Sequence, residues 1–161
     1  MNCKSQATSC KRKKRLLLTL NKTIVKDFKS LKIWQKGIKL VVDIYKLTKV
    51  FPQEELYGLT SQMRRSAISI PSNIAEGSGR NSDKDFNRFL DISLGSSFEL
   101  ETQIIIAREL EFLSSEDFLK LSDKVQEEQK MITGLQKSLR QLQVTSCKDK
   151  TPEAKNLKLV A

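Results

Sequence analysis

From Leu31 onward, apolar side chains return every third or fourth residue. Leu31, Trp34, Ile38, Val41 and Tyr45 recur at these steps, with Val42 and Ile44 widening the stripe, which is the spacing of one face of an α-helix. The pattern predicts a helix over roughly 31–50. Phe51-Pro52 ends it, because proline disfavours helical geometry in the residue before it. Leu56, Leu59, Met63, Ala67, Ile70 and Ile74 mark a second helix running to about Gly77. Pro71 lies inside that pattern and has no N–H for the carbonyl of Ala67, yet the periodicity survives on both sides, so the expectation is one kinked helix. Gly77-Ser78-Gly79 closes it as a C-cap cluster, and Ser82-Asp83-Lys84-Asp85 opens the next in the manner of a capping box.

The third helix, about 83–111, carries Phe86, Phe89, Leu90, Leu100, Ile104 and Ala107, with small residues Ser93, Gly95, Ser96 and Ser97 at its centre that let a neighbour approach closely. Ser114, three residues ahead of Asp117, is the N-cap of a fourth. There Phe118, Leu121, Val125, Ile132, Leu135, Leu139 and Leu142 form a heptad series that only Glu128 breaks. Four amphipathic helices on short connections must run antiparallel to their neighbours, because a short loop cannot carry the chain back to a parallel start. The fold class expected is therefore all-α, an antiparallel up-down four-helix bundle with a kinked second helix. Trp34 fits the first stripe as a core anchor rather than a stacking platform.

Composition agrees. The 161 residues include only three prolines and six glycines, and 39% are hydrophobic, which is enough for one core. Weak periodicity before Leu31 and after the fourth stripe divides the chain into a disordered basic arm (1–30), the bundle (31–144) and a disordered tail (145–161). Lys11-Arg12-Lys13-Lys14-Arg15 followed by Leu16-Leu17-Leu18-Thr19-Leu20 imitates a signal peptide, but the apolar run is too short for one. No stretch approaches the roughly 20 apolar residues of a membrane span. Cys3, Cys10 and Cys147 all lie near the termini at spacings that suit neither a core disulfide nor a zinc site, as in a reduced cytoplasmic protein.

The net charge of +10 changes the picture only once it is located. Most of it sits in residues 1–30, where nine Lys/Arg face the single acid Asp27, while residues 31–144 hold sixteen basic and sixteen acidic residues. Any attraction of the whole protein to phosphate comes first from the arm or from local clustering. Lys11, Arg12, Lys13, Lys14 and Arg15 are the direct phosphate-binding candidates, although such runs also serve as solubilising tails and no aromatic among residues 1–27 can stack on a base.

Within the bundle, Arg64, Arg65, Arg80, Lys84 and Arg88 are expected to gather as a basic patch around the junction of helices two and three. Glu76, Asp83 and Asp85 stand among them, so local ion pairing competes with phosphate binding. Ser61, Arg65, Ser69, Ser72 and Glu76 fall opposite the core stripe of helix two, either as a solvated face or as a polar interface. With Ser93 and Ser97 of the small-residue belt, Ser61, Ser69, Ser72 and Glu76 make the candidate oligomer interface.

Catalysis finds no support in the residue inventory. The chain has no histidine, which excludes Ser-His-Asp and Cys-His chemistry and the Glu-x-x-His di-iron bundle. Glu99 and Glu101 point about 200° apart on a helix, wrong for a pair sharing a substrate. Gly77-Ser78-Gly79 follows a helix instead of a strand and lacks the P-loop lysine. No cofactor or metal is expected.

The run from Leu56-Tyr57-Gly58-Leu59 through Gln62-Met63-Arg64-Arg65-Ser66-Ala67 and on to Ser69-Ile70-Pro71-Ser72-Asn73-Ile74-Ala75-Glu76-Gly77 resembles the signature of the bacterial four helix bundle protein family, encoded in intervening sequences of large-subunit ribosomal RNA genes. The resemblance extends upstream to Ile33-Trp34-Gln35-Lys36 and Ile44-Tyr45, and downstream to Phe86, Phe89-Leu90, Leu94-Gly95-Ser96 and Glu99-Leu100-Glu101. It implies a bundle assembled as a homopentameric ring without established catalytic activity. The family is similar to the accessory subunit of diversity-generating retroelements, which binds nucleic acid through a basic surface; that likeness makes Arg64, Arg65 and Arg80 the internal phosphate-contact candidates. Two functions are then in play: a homo-oligomeric bundle that binds RNA or DNA weakly and without sequence specificity, and a scaffold that engages a protein partner with no nucleic-acid role.

Overall fold

Apolar positions at helical spacing have to be buried somewhere, and here they close on one another. The computed structural model describes residues 27–148, with side chains through Gln141. A 3-10 turn, Phe28–Ser30, leads into α1 (Lys32–Leu47); a second, Gln53–Leu56, precedes α2 (Leu59–Ser78); α3 (Asp83–Glu109) and α4 (Ser115–Lys148) follow. Each helix packs on its two neighbours in chain order, α2 on α3 most closely and α1 on α4 most openly, so the four close into an all-α bundle. The arm 1–26, the segment 149–161 and the side chain of Leu142 lie outside the described residues. α4 itself passes the expected bundle boundary at 144 and continues to Lys148.

The core is one cluster drawn from all four helices, including Leu40, Ile44, Met63, Ile70, Leu90, Leu100, Ile104, Leu121 and Ile132. Burying each such side chain contributes about 1.5–3 kcal/mol relative to leaving it in water. α2 carries Pro71 within its 20 residues as a single bent helix, as the unbroken periodicity requires. The two N-caps are those expected: Ser82 accepts from the Asp85 N–H at 3.1 Å, and Ser114 accepts from the Asp117 N–H at 3.1 Å.

One local expectation is corrected. On α1 the buried residues are Ile33, Gly37, Leu40 and Ile44, so the stripe is rotated from the one the large apolar residues suggest. Ile38 and Tyr45 are each 38% exposed, while Trp34 sits at the edge of the core, edge-on to Phe28 at 5.2 Å. Gly37 and the buried Thr48 occupy core-facing positions that a hydrophobicity pattern does not mark. At the end of α2, Gly79 is the C-cap as expected, in a right-handed conformation with φ −78°. Gly77 is instead needed for close approach: a Cβ there would stand 2.7 Å from Phe86 Cδ2 and from Phe89 Cβ. The left-handed residue is Glu111, φ 60°, which ends α3 with Phe112 N–H bonding Ala107 O at 2.9 Å and Glu111 N–H bonding Arg108 O at 3.0 Å, the Schellman pattern without its usual glycine.

Candidate nucleic-acid interface

The first turns of α2 face the last turns of α1 across a cleft of about 610 Å³ lined by Tyr45 of α1, Leu56 and Tyr57 of the preceding turn, and Ser61, Arg64, Arg65, Ile68 and Ser69 of α2. Phe51 anchors the connection between the two helices: its buried ring lies 5.5 Å from that of Phe112, just beyond α3. Arg64 then ties the helices together. Its Nε donates to Thr48 Oγ1 at 2.9 Å, a second nitrogen lies 3.4 Å from the Thr48 carbonyl, and the guanidinium covers the Tyr45 ring at 4.9 Å. A cation at this place also meets the negative end of the α1 dipole. Arg64 is thus partly committed to structure. Arg65, one residue on, is exposed and makes no ion pair or hydrogen bond among the described residues.

No carboxylate lines this cleft among the described residues, in a folded region whose charges otherwise balance. Two guanidiniums beside two phenol rings and apolar floor residues give a surface suited to an anion with an aromatic or apolar body.

The expected single patch of Arg64, Arg65, Arg80, Lys84 and Arg88 is divided by the fold. Arg64 and Arg65 stand near the start of α2 and Arg80 beyond its end, roughly 20 Å of helix away. Arg80 pairs with Glu76 one turn back and covers the Phe89 ring at 4.7 Å. Lys84 and Arg88 are exposed on the first turns of α3, beside Asp83 and Asp85. Lys11, Arg12, Lys13, Lys14 and Arg15 lie outside the described residues.

The candidate oligomer interface is likewise redistributed. Ser93 and Ser97 are 0% exposed within the single chain, so neither is available to a second copy. Ser93 Oγ donates across to the Ile70 carbonyl of α2 at 3.0 Å and Ser97 Oγ to the Leu94 carbonyl of its own helix at 2.6 Å, while Gly95 of the same belt faces open space. Ser69 and Ser96 share a hydrogen bond of 2.8 Å across the α2–α3 seam. Ser61 and Ser72 remain exposed, and Glu76 is engaged by Arg80. Glu99 and Glu101 diverge as expected, Glu99 toward Ser66 of α2 at 3.5 Å and Glu101 accepting from Gln129 of α4 at 2.8 Å.

Among the described residues, buried side-chain oxygens of Thr60, Asn87, Gln103 and Glu128 have no hydrogen-bond partner, and of these only Glu128 is ionisable. Glu128 is 1% exposed, and its Oε1 has no hydrogen bond among the described residues. Gly37 and Pro71 make room for it: a Cβ on Gly37 would lie 3.3 Å from that oxygen and 3.4 Å from Pro71 Cβ. Burial pushes its carboxyl up to about 8, with Lys36 opposing the rise and Glu127 adding to it. Those two flanking residues pair with each other across α1 and α4, as do Lys124 and Asp43 at 2.6 Å.

The sequence pattern marks the arginines but not the tyrosines as site residues. Tyr57 falls in a turn outside any stripe, and Tyr45 looked like core; only the meeting of α1 and α2 brings both rings to the guanidiniums.

Similarity to known proteins agrees with the bundle. A family model described as 23S rRNA-intervening sequence protein matches residues 29–134. A crystal structure of a protein of unknown function from the S23 ribosomal protein family of Bacteroides thetaiotaomicron superposes with a TM-score of 0.61 at 24% identity, covering 65% of this chain and 98% of that one. At this identity the likeness carries the fold alone. No curated protein matches the chain.

Proposed function

Because the chain belongs to the 23S rRNA-intervening sequence protein family, we propose that it is a non-enzymatic, self-assembling four-helix bundle that binds RNA or DNA weakly and without sequence specificity. The observation that carries this reading is the cleft between α1 and α2, where Arg65 is unpaired and Arg64 is held against Tyr45 with no carboxylate among the described lining residues. A polyanion meeting such a surface gains by releasing its counterions, and the cations of Lys11 to Arg15 add to the same attraction. Nothing at the cleft reads base identity, since arginine held by position rather than by a groove contacts phosphate, which is the same at every nucleotide.

Self-assembly is supported by the outer face of α3. Phe98 and Ile105, two turns apart on one flank, and Ile92 and Ile106 on the other are all substantially exposed there, away from the core residues Leu90, Leu100 and Ile104, and exposed apolar side chains of this size suit a surface that another protein covers. A ring of five is the number the family resemblance implies. Titration of labelled RNA and DNA of unrelated sequences with the full chain, across an ionic-strength series, tests the binding. The expected result is similar affinity for each sequence with a steep loss as salt rises; no detectable binding at low salt removes the proposal.

A further inference from the structure

Resting on the nucleic-acid reading above, we infer that the cleft between α1 and α2 is a single-strand site, in which Tyr57 stacks on an unpaired base while Arg65 holds the neighbouring phosphate. Tyr57 is 90% exposed at the end of the turn Gln53–Leu56. A tyrosine ring left in water on a structured turn forgoes the burial that its size would reward elsewhere. It is not bound to the bundle by any ring contact or cation among the described residues, whereas the ring of Tyr45 is already covered by Arg64. The two tyrosines of the cleft therefore differ: one has its face taken by a guanidinium and the other has its faces free.

The surroundings select the ligand. Leu56 and Ile68 give the cleft an apolar lining, and both are partly open to solvent. Arg64 and Arg65 supply the positive charge beside it. A flat aromatic group joined to an anion fits this combination, and in a nucleic acid that unit is the nucleotide. A duplex stacks its bases on one another and presents only phosphates here, so it gains from Arg65 but not from Tyr57. A single strand gains from both, because every base has a π-face and stacking tolerates any sequence. The same reasoning leaves sequence specificity absent, in keeping with the weak binding proposed above.

The test uses the full chain and 5′-labelled oligonucleotides of one sequence, single-stranded and annealed to the complement, read by fluorescence anisotropy at low salt. The expected result is tighter binding of the single strand, and a loss of about tenfold in that affinity for Tyr57→Ala, with duplex binding unchanged. Tyr57→Phe, which keeps the ring, retains the single-strand affinity. The salt dependence of Tyr57→Ala matches that of the parent chain, because no charge has been removed. Equal affinity for single strand and duplex, or an undiminished affinity of Tyr57→Ala for the single strand, overturns the inference and leaves the nucleic-acid reading standing. Binding to neither form removes both. A change in the mass of the particle by light scattering for Tyr57→Ala, with single-strand affinity retained, reassigns the cleft to contact between copies and also overturns it.

Discussion

Glu128 is the residue whose chemistry departs furthest from its place. At a core position of α4, with Gly37 and Pro71 leaving room for it, it holds a carboxyl that burial raises to about 8. The folded chain thus retains a proton that the unfolded chain releases near 4.5. A raised carboxyl means that the native state binds more protons over this interval, so the site's contribution to stability falls as pH rises from about 4.5 to about 8 and is level above it. Glu128→Gln keeps the shape without the titration. It is predicted to equal the parent chain in thermal stability near pH 4.5 and to exceed it by about 4 kcal/mol at pH 8, as followed by melting temperature across a pH series. Parallel pH profiles for the two proteins would refute this account of the site. The sequence marked Glu128 as a break in the heptad. What it did not reveal is that a glycine three helices earlier in the chain vacates the volume the carboxyl fills, because that pairing exists only once α1 lies on α4.

At the scale of elements, the four helices, their two serine N-caps and the bend at Pro71 were legible from spacing alone. The face of α1 was legible only in part: Leu31, Trp34, Val41 and Ile44 do pack on the core, but its buried row also includes Gly37, and its C-terminal end is closed by the buried Thr48, whose hydroxyl donates to the Ile44 carbonyl at 2.8 Å. Small and self-satisfied polar residues fill core positions without registering as hydrophobic, while Ile38, Val42 and Tyr45 draw the eye to the solvent side. Gly77 was legible as a residue near a helix end, but its work is to let α2 and α3 meet. Gly77→Ala would press a methyl group against Phe86 and Phe89, and overpacking of this kind costs about 1–3 kcal/mol. Chemical denaturation is expected to show that loss with the m-value unchanged. An alanine variant as stable as the parent would mean that the turn between α2 and α3 has slack that the geometry does not display.

For the whole molecule, where the charge sits matters more than the total. The folded region is balanced, and its binding potential comes from where the fold separates cations from acids. Arg80 is brought to Glu76, while Arg65 is left unpaired beside Tyr57 and Tyr45. That sorting depends on the crossing of α1 and α2, which explains why the basic residues could be named from sequence but the site could not. Assembly belongs to this scale too. Phe98 and Ile105 are 52% and 48% exposed on α3, and Phe98→Glu is predicted to shift the full chain toward monomer in light scattering without loss of helical circular dichroism. A parent chain already monomeric would refute the proposed self-assembly, and an assembled parent whose mass Phe98→Glu leaves unchanged would remove α3 from the proposed contact. The central claim, that nucleic acid occupies the cleft of α1 and α2, is tested most directly by ultraviolet crosslinking of the full chain to single-stranded RNA, followed by mass-spectrometric mapping. Crosslinked peptides containing Tyr57 are the predicted result, and crosslinks confined to α3, α4 or the terminal segments would contradict it.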